Sequence, residues 1–155
     1  MGLDTKMRIM DSKKVILKSL EEITLLQKSA QLVSRTLGIL AKEIKPGINT
    51  LYLDKIAEEF IRDHKGVPGF LGMYDFPNTL CVSTNHEVVH GIPNKKPLED
   101  GDIVSIDCGV LMNDFYGDHA YTFEVGEVND EIKTLLKTAK AVSYTHLTLP
   151  TKNEV

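Results

Sequence analysis

Residues Asp102 to Val125 read DIVSIDCGVLMNDFYGDHAYTFEV, which is two runs of β-branched and aromatic residues on either side of a short polar turn. This pattern predicts a β-hairpin. A loop centred between Met112 and Asn113 pairs Asp107 directly with Asp118. A loop centred on Asn113 and Asp114 instead pairs Asp107 with Ala120 and leaves Asp118 on the diagonal, about 7 Å away. Both registers keep the two carboxylates on one face of the sheet.

Asp107 and Asp118 would repel each other in either register, because like charges on neighbouring strands destabilise a sheet. Removing them from water costs more unless a cation lies between them. Oxygen ligands of this kind suit divalent metal ions such as Mn, Co, Fe or Zn. A lone Asp at such a position is more often a solvated strand-end residue, so the spacing alone leaves a metal site and a solvated pair both open.

Three other residues in or near the hairpin have side chains that could take part in catalysis or metal binding. The segment EVVHGIP, residues 87–93, predicts a strand that ends at His90, where an imidazole is either catalytic or a surface group. His119 follows Asp118 directly, so strand alternation points it to the opposite face and it is not predicted as a ligand. The same alternation places Cys108 in the core with Val104, Ile106 and Val110.

Composition narrows the class of protein. The 155 residues fit one domain, and the net charge of -4 is not accompanied by a basic stripe. The aromatic fraction of 6% and the absence of Trp also argue against nucleic-acid binding. No apolar run reaches the roughly 18 residues of a membrane helix, and no signal peptide is expected. Cys81 and Cys108 lack ligand spacing and are predicted to be reduced thiols in a cytoplasmic protein.

The rest of the chain reads as alternating helices and loops. A leader is expected at 1–12, and a short edge strand at Val15 to Leu17. Ser19 and Glu22 form a capping box for a long helix that Pro46 and Gly47 stop. Its predicted apolar stripe consists of Ile23, Leu26, Ala30, Val33, Leu37, Leu40 and Ile44.

Two further helices and one apolar loop complete this description. Asn49 or Thr50 caps a second helix, for which Gly66 supplies the C-terminal break. Asn129 or Asp130 opens a third. The loop at 67–78, rich in Gly, Pro and aromatic residues, either covers the core or lines a pocket, and the second reading is favoured.

Three motifs in this order and spacing, EVVHGIP at 87–93, DGDIVSIDCG at 100–109 and FYGDHAYTF at 115–123, resemble those of type I methionine aminopeptidases. The likeness runs from about Lys13 to Val142. It implies the N-terminal half of the pita-bread α/β fold, a mostly antiparallel sheet with helices on one face. The expected organisation is a leader at 1–12, the half-domain at 13–142, and a non-family tail at 143–155.

The resemblance also implies a site and an activity. It places Asp107 on one of two divalent metal ions (Co, Mn, Fe or Zn), with Asp118 bridging both and His90 hydrogen-bonding the substrate near the scissile amide. Phe70, Met73, Phe76 and Cys81 would form the methionine side-chain pocket. The implied function is removal of the initiator methionine from nascent chains, near the ribosome, by a cytoplasmic monomer.

Departures from the family pattern are equally specific. The family completes its site with a further metal-binding His, two metal-binding Glu and a second catalytic His from a C-terminal half that this sequence does not contain. The sequence after Val142 does not match the family's continuation, and His119 stands where a small hydroxyl residue is expected. The 155-residue chain alone is therefore expected to be inactive and to bind metal weakly.

Three alternatives stay open at this point. The first is a proline-specific peptidase of the same fold, although only a short leader precedes the first helix. The second is a non-catalytic pita-bread binding module, although such modules typically lose the metal carboxylates. The third is an inactive fragment.

Overall fold

The computed structural model describes residues 17–147, with side chains described as far as residue 145. The predicted leader lies outside this range, and of the predicted edge strand only Leu17 is described, in irregular backbone. The elements are helices α1 (Leu20–Glu43), α2 (Thr50–Asp63) and α3 (Asp130–Leu147), and strands β1 (Val67–Pro68), β2 (Leu80–Thr84), β3 (Ile103–Met112) and β4 (Phe115–Glu124), with one 3-10 turn at Met73–Asp75. Together they form one antiparallel sheet with helices, as predicted.

Strand β3 is the centre of the sheet. Strand β4 pairs with β3 along its whole length, from Ile103 opposite Glu124 to Met112 opposite Phe115. Strands β1 and β2 pair with successive parts of the other side of β3. The predicted hairpin is therefore confirmed, and it supplies the longest pairing among the described strands.

The turn of the hairpin decides between the two predicted registers. Asn113 and Asp114 have φ of 53° and 65°, the left-handed values that a two-residue turn of type I′ requires and that Asn and Asp tolerate best. Asp107 consequently pairs with Ala120. Of the two registers, the one with Asp118 on the diagonal is confirmed.

The core lies between the helices and one face of β3. The alternate residues of β3 on this face, Val104, Ile106, Cys108 and Val110, are all fully buried. They pack with buried leucines and valines of α1 and with the apolar side of α2. Each such side chain stabilises the fold by about 1.5–3 kcal/mol when buried. Cys108 thus behaves as the small core residue that was predicted.

Helix α1 begins at the predicted capping box, but its first turns do not pack with the predicted apolar residues. The Glu22 N–H donates to Ser19 Oγ at 3.2 Å, and the Ser19 N–H donates to Glu22 Oε2 at 2.7 Å, which is the predicted capping box. Val33, Leu37 and Leu40 are buried, but Ile23 and Ala30 are exposed. The predicted stripe is wrong at these two positions, because the residue that meets the sheet there is Ser29, which donates to Met112 O at 2.9 Å.

The end of α2 corrects the role given to Gly66. The helix is capped by Asn49, whose Oδ1 accepts from the Tyr52 N–H at 2.9 Å. The left-handed residue after the helix is Lys65, with φ of 64°. Gly66 serves close packing instead, because a Cβ there would lie 2.8 Å from Leu32 Cδ2.

The predicted strand at Glu87 to His90 is wrong. These residues form a loop in which Val88 and Val89 are 85% and 66% exposed and His90 has φ of 58°. Their β propensity finds no strand partner. The Glu87 N–H makes a turn bond to Thr84 O at 3.1 Å, and the chain next meets β2 at Gly91, whose carbonyl accepts from the Val82 N–H at 2.8 Å. His90 therefore lies in a loop that is fastened to β2 one residue later.

Helix α3 is opened by Asn129, as predicted, because the Asn129 side chain accepts from the Ile132 N–H at 2.9 Å. The helix continues past Val142 to Leu147, so the proposed start of a separate tail at 143 stays a prediction. Within residues 17–147, no helix has both the length and the apolar character needed to span a membrane.

Candidate metal and substrate site

The hairpin brings two carboxylates to the face of the sheet that points away from the core formed with α1 and α2. Asp107 on β3 pairs with Ala120, and Asp118 lies two residues from Ala120 on β4, opposite Gly109. Side chains two residues apart on a strand share a face. Asp107 is half-buried and Asp118 is exposed.

The surroundings of Asp107 disfavour its negative charge. Burial raises the pKa of Asp107, and the Asp118 carboxyl raises it further through its charge and by direct contact. The positive charge of His90 and the backbone N–H of Cys108 act in the opposite direction and do not overcome these effects. The site therefore holds a carboxyl group whose burial and neighbouring negative charge are only partly compensated.

This arrangement fits a cation. Asp107 Oδ1 is buried and has no hydrogen-bond partner, which is costly for a carboxylate oxygen unless a ligand satisfies it. Two carboxylates on one face provide the oxygen ligands that divalent metals take. Among residues 17–145, however, no group of three or more His, Cys, Asp or Glu side chains is close enough to hold a metal ion. The pair accounts for part of a metal site.

Strand β2 places Cys81 beside the carboxylates, because Cys81 pairs with Asp107 across the ladder. Burial, followed by the charges of Asp107 and Asp118, raises the pKa of Cys81 to about 11. The side chain is therefore a neutral thiol at pH 7, whereas metal ligation and nucleophilic attack both need the thiolate. Cys81 presents a small apolar surface to the site.

His90 lies in the same cavity as Asp107 and Cys81, which has a volume of about 830 Å³. Its loop is fixed on one side by the Gly91 N–H, which donates to Ser83 Oγ at 3.0 Å. The imidazole itself is exposed and accessible from the cavity. Three residues that were predicted as site residues are thus brought together by β2, β3 and this loop.

The other predicted pocket residues are placed less closely. The ring of Phe70 covers Gly109, where a Cβ would lie 2.6 Å from Phe70 Cε1, so Phe70 is close to the backbone opposite Asp118. Met73 is 43% exposed on the 3-10 turn, and Phe76 is half-buried. Neither Met73 nor Phe76 lines the cavity that contains Asp107. Their pocket role stays a prediction.

Asp54 supports the site and was not predicted from the sequence. It is a buried residue of α2, and its carboxylate accepts from the Leu80 N–H and from Asn78 Nδ2, both at 2.8 Å. Burial raises the pKa of Asp54, and these hydrogen bonds oppose that change. Asp54 therefore fixes the start of β2, one residue before Cys81. Its spacing from Ala57 and Ile61 on the buried side of α2 was the available signal.

Lysines of α3 line the same cavity and were also not predicted. Lys133, Lys137 and Lys140 recur at helical spacing on one side of α3. Lys140 lies over the ring of Tyr121 on β4, with its Nζ 5.4 Å from the ring centre. This contact positions α3 beside the outer strand of the sheet.

Comparison with known proteins identifies the family and the fold. The model of metallopeptidase family M24 matches residues 24–148. The methionine aminopeptidase of Clostridium perfringens is 48% identical over 123 residues, which are 79% of this chain and 49% of that protein. The crystal structure of methionine aminopeptidase from Rickettsia prowazekii superposes with a TM-score of 0.83 at 32% identity, covering 85% of this chain and 53% of that one.

Proline-directed peptidases share the fold at lower similarity. Prolidase from Pyrococcus furiosus matches with a TM-score of 0.68 at 22% identity, covering 83% of this chain and 37% of that one, which shows the fold alone. The chain spans about half the length of the curated relatives it matches. The described strands and helices therefore correspond to the N-terminal half of the pita-bread fold.

Proposed function

Because the chain belongs to metallopeptidase family M24, we propose that its Asp107–Asp118 face is one half of a two-metal site that removes the initiator methionine from nascent proteins. The observation that carries this proposal is the buried, unpartnered Oδ1 of Asp107 beside a second carboxylate on the same face. The curated relatives at 40–48% identity, which are named methionine aminopeptidases, support the choice of substrate.

In the proposed site, Asp107 and Asp118 would hold two divalent metal ions, with Asp107 as a ligand of one ion and Asp118 shared by both. When bound, divalent metal ions (Co, Mn, Fe or Zn) supply an activated water and stabilise the negative charge that develops on a scissile carbonyl. Asp107 is suited to this role because its oxygen is already removed from water and gains a partner only from a ligand. The exposed Asp118 stays accessible from the open side of the sheet.

His90 is proposed to orient the substrate. Its imidazole lies in the cavity with Asp107, and its loop is fixed to Ser83 and Val82 through Gly91. A neutral or protonated imidazole donates a hydrogen bond to a carbonyl oxygen. We assign to it the contact with the substrate near the scissile amide.

Cys81 is proposed to form one wall of the methionine pocket. A neutral thiol beside the carboxylates offers a soft, polarisable surface that suits an unbranched thioether. Phe70 lies on the same side of the sheet, over Gly109. Met73 and Phe76 complete the proposed pocket from the adjoining loop, residues 67–78.

The 155-residue chain by itself is proposed to bind divalent metal weakly and to release no methionine. Two carboxylates are too few ligands for two metal ions, and no larger ligand group exists among the described side chains. The intact enzyme is proposed to be a cytoplasmic monomer that acts on methionyl peptides and nascent chains near the ribosome. We propose that the chain consists of a leader at 1–12, a half-domain at 13–142 and a tail at 143–155.

The test is metal binding to a matched pair of hairpin variants. Isothermal titration with Mn²⁺ or Co²⁺ should give a weak heat for the wild-type chain that Asp107→Asn abolishes. The control is Asp114→Asn, which removes a carboxylate from the turn of the same hairpin and keeps a residue that tolerates its φ of 65°.

Substrate class needs a second measurement, on the chain joined to the half of the C. perfringens relative that it does not match. Release of methionine from a Met-Ala-Ser peptide, with no cleavage of an Ala-Pro peptide, is expected in the presence of Mn²⁺ or Co²⁺. Cleavage of the Ala-Pro bond instead would overturn the proposed substrate. Equal metal binding by wild-type chain and Asp107→Asn would overturn the proposed site.

A further inference from the structure

The segment that carries His90 is attached to the sheet at its two ends and is free between them. At its start, the Glu87 N–H donates to Thr84 O at 3.1 Å, and Glu87 Oε2 accepts from the Thr84 N–H at 2.7 Å. At its end, Gly91 is bonded to β2. Within the part of the chain that the structure describes, residues 88–90 make no backbone hydrogen bond. The conformation of His90 therefore depends on the attachment that follows it.

Two hydrogen bonds of Gly91 form this attachment. Its N–H donates to Ser83 Oγ at 3.0 Å, and its C=O accepts from the Val82 N–H at 2.8 Å. Only glycine can come this close to β2, because a Cβ at residue 91 would overlap with Val82 O. The N–H of Gly91 belongs to the peptide unit that joins it to His90, whereas its C=O belongs to the following unit. Ser83 is thus the group that fixes the peptide unit of His90.

The backbone of His90 has an unusual conformation. Its φ is 58°, a left-handed value that residues other than glycine adopt mainly where surrounding contacts impose it. The imidazole is exposed, so packing of the side chain does not impose this value. Among the described contacts, the bond from the next peptide unit to Ser83 is the one that can do so.

Ser83 lies at the right place for this role. It is 4% exposed on β2, so water competes little for its hydroxyl, and a hydrogen bond in such surroundings is stronger than one in solvent. Ser83 is two residues from Cys81, on the same face of the strand, and both line the cavity that contains His90 and Asp107. The hydroxyl therefore connects the face of the sheet that carries the carboxylates to the loop that carries the imidazole.

We propose that Ser83 is a positioning residue for His90. Its hydroxyl holds the peptide unit that joins His90 to Gly91, keeps His90 in the left-handed conformation, and thereby directs the imidazole into the cavity beside Asp107. Without this bond, His90 relaxes toward an extended conformation, which turns its side chain in another direction. The inference rests on the proposed function, in which His90 orients the substrate.

The conformation of His90 is tested on the 155-residue chain, without metal or substrate. In Ser83→Ala, hydrogen exchange at the Gly91 amide should be about tenfold faster than in the wild type, because its acceptor is lost. The HN–Hα coupling constant of His90 depends on φ and should change as well. Ser83→Cys, which has a weaker acceptor, replaces Ser83→Ala if circular dichroism shows that variant to be misfolded.

Ser105→Ala is the matched control. Ser105 pairs with Ser83 on the neighbouring strand, and its hydroxyl contacts Thr122 Oγ1 at 2.8 Å instead of the loop. Removing this hydroxyl should change neither the exchange at Gly91 nor the coupling of His90. Wild-type exchange and coupling in a folded Ser83 variant would overturn the proposal.

The consequence for catalysis is tested on the chain joined to the half of the C. perfringens relative that it does not match, by methionine release from the Met-Ala-Ser peptide. Ser83→Ala should lower kcat/KM by about fivefold to tenfold. Ser83→Thr keeps the hydroxyl and should restore most of this loss. A double-mutant cycle separates positioning from a general loss of stability: in a chain that already carries His90→Ala, Ser83→Ala should have no further effect on kcat/KM.

The outcomes distinguish this inference from the proposed function. A loss in Ser83→Ala that is equally large with and without the imidazole would overturn the proposal, because Ser83 would then not act through His90. Failure of the wild-type joined protein to release methionine would count against the proposed function alone, and the exchange at Gly91 with the coupling of His90 would then decide on the positioning. Faster exchange and a changed coupling in Ser83→Ala, with wild-type values in Ser105→Ala, support it.

Discussion

Replacing Asp107 by Asn should stabilise the metal-free chain at neutral pH. Diagonal positions on paired strands are about 7 Å apart, and two unit charges at that distance repel by about 2 kcal/mol or, where the carboxyl groups are closer, by more at an effective dielectric constant near 20. Asp118 is exposed, so solvent screening reduces this to about 1 kcal/mol. The substitution keeps the shape of the side chain and removes the repulsion, so we expect the free energy of unfolding to rise by about 1 kcal/mol.

The size of the effect depends on pH. The pKa of Asp107 is raised in the folded chain above its ordinary value of 3.8. A carboxyl with a raised pKa favours folding while it is protonated, and this contribution is lost as the pH rises through the folded-state pKa. As the pH rises from about 3.8, the ordinary pKa of an Asp side chain, to neutral pH, the wild-type chain should therefore lose stability relative to Asp107→Asn.

Urea unfolding in EDTA, measured by circular dichroism from pH 3 to pH 8, is the assay. The difference between the two proteins should be largest at neutral pH and should shrink toward acid pH. Asp114→Asn is the matched control, because it removes a hairpin carboxylate outside the pair. With Mn²⁺ at a concentration well above its dissociation constant, the order should reverse, since only the wild type gains metal-binding energy. A metal-free Asp107→Asn chain less stable than wild type at pH 7 would refute the reasoning.

Three further predictions concern packing, support and reactivity. Gly117→Ala should destabilise the chain by about 1–3 kcal/mol in urea unfolding, because its Cβ would lie 2.6 Å from the backbone of α1; Gly38→Ala, with open space around it, should be neutral or stabilising, and equal effects would contradict the close packing. Asp54→Ala should cost about 1–3 kcal/mol by leaving the first N–H of β2 unpaired, and an unchanged unfolding midpoint would exclude this support role. Cys81 should react about 100-fold more slowly with a thiol reagent at pH 8 in the folded chain than in urea, because its pKa is raised to about 11; equal rates would contradict the burial of the thiol.

The hairpin and its carboxylates were predictable because strand alternation is a local property. Any even loop places Asp107 and Asp118 on one face, so the sequence constrains the site before the register is known. The register itself depended on the turn, where Asn113 and Asp114 both adopt positive φ. Both residues tolerate that conformation, but the sequence also allowed the neighbouring loop.

The errors arose where distant contacts outweigh local preference. Val88 and Val89 favour a strand, yet no neighbouring strand pairs with them and they are exposed. Asp54 is a carboxylate on a helix, which normally indicates a solvated position, and it is buried because the N–H of Leu80 reaches it from another element. The contact between that N–H and Asp54 cannot be predicted from the sequence before the packing of α2 against β2 is known.

Metal binding and the stability of the hairpin depend on the same two carboxylates, and this links them energetically. The repulsion between Asp107 and Asp118 costs free energy in the metal-free chain, and a bound cation removes that cost. The repulsion therefore favours metal binding, and the affinity of the chain alone is limited instead by the number of ligands, because two carboxylates are too few for two metal ions.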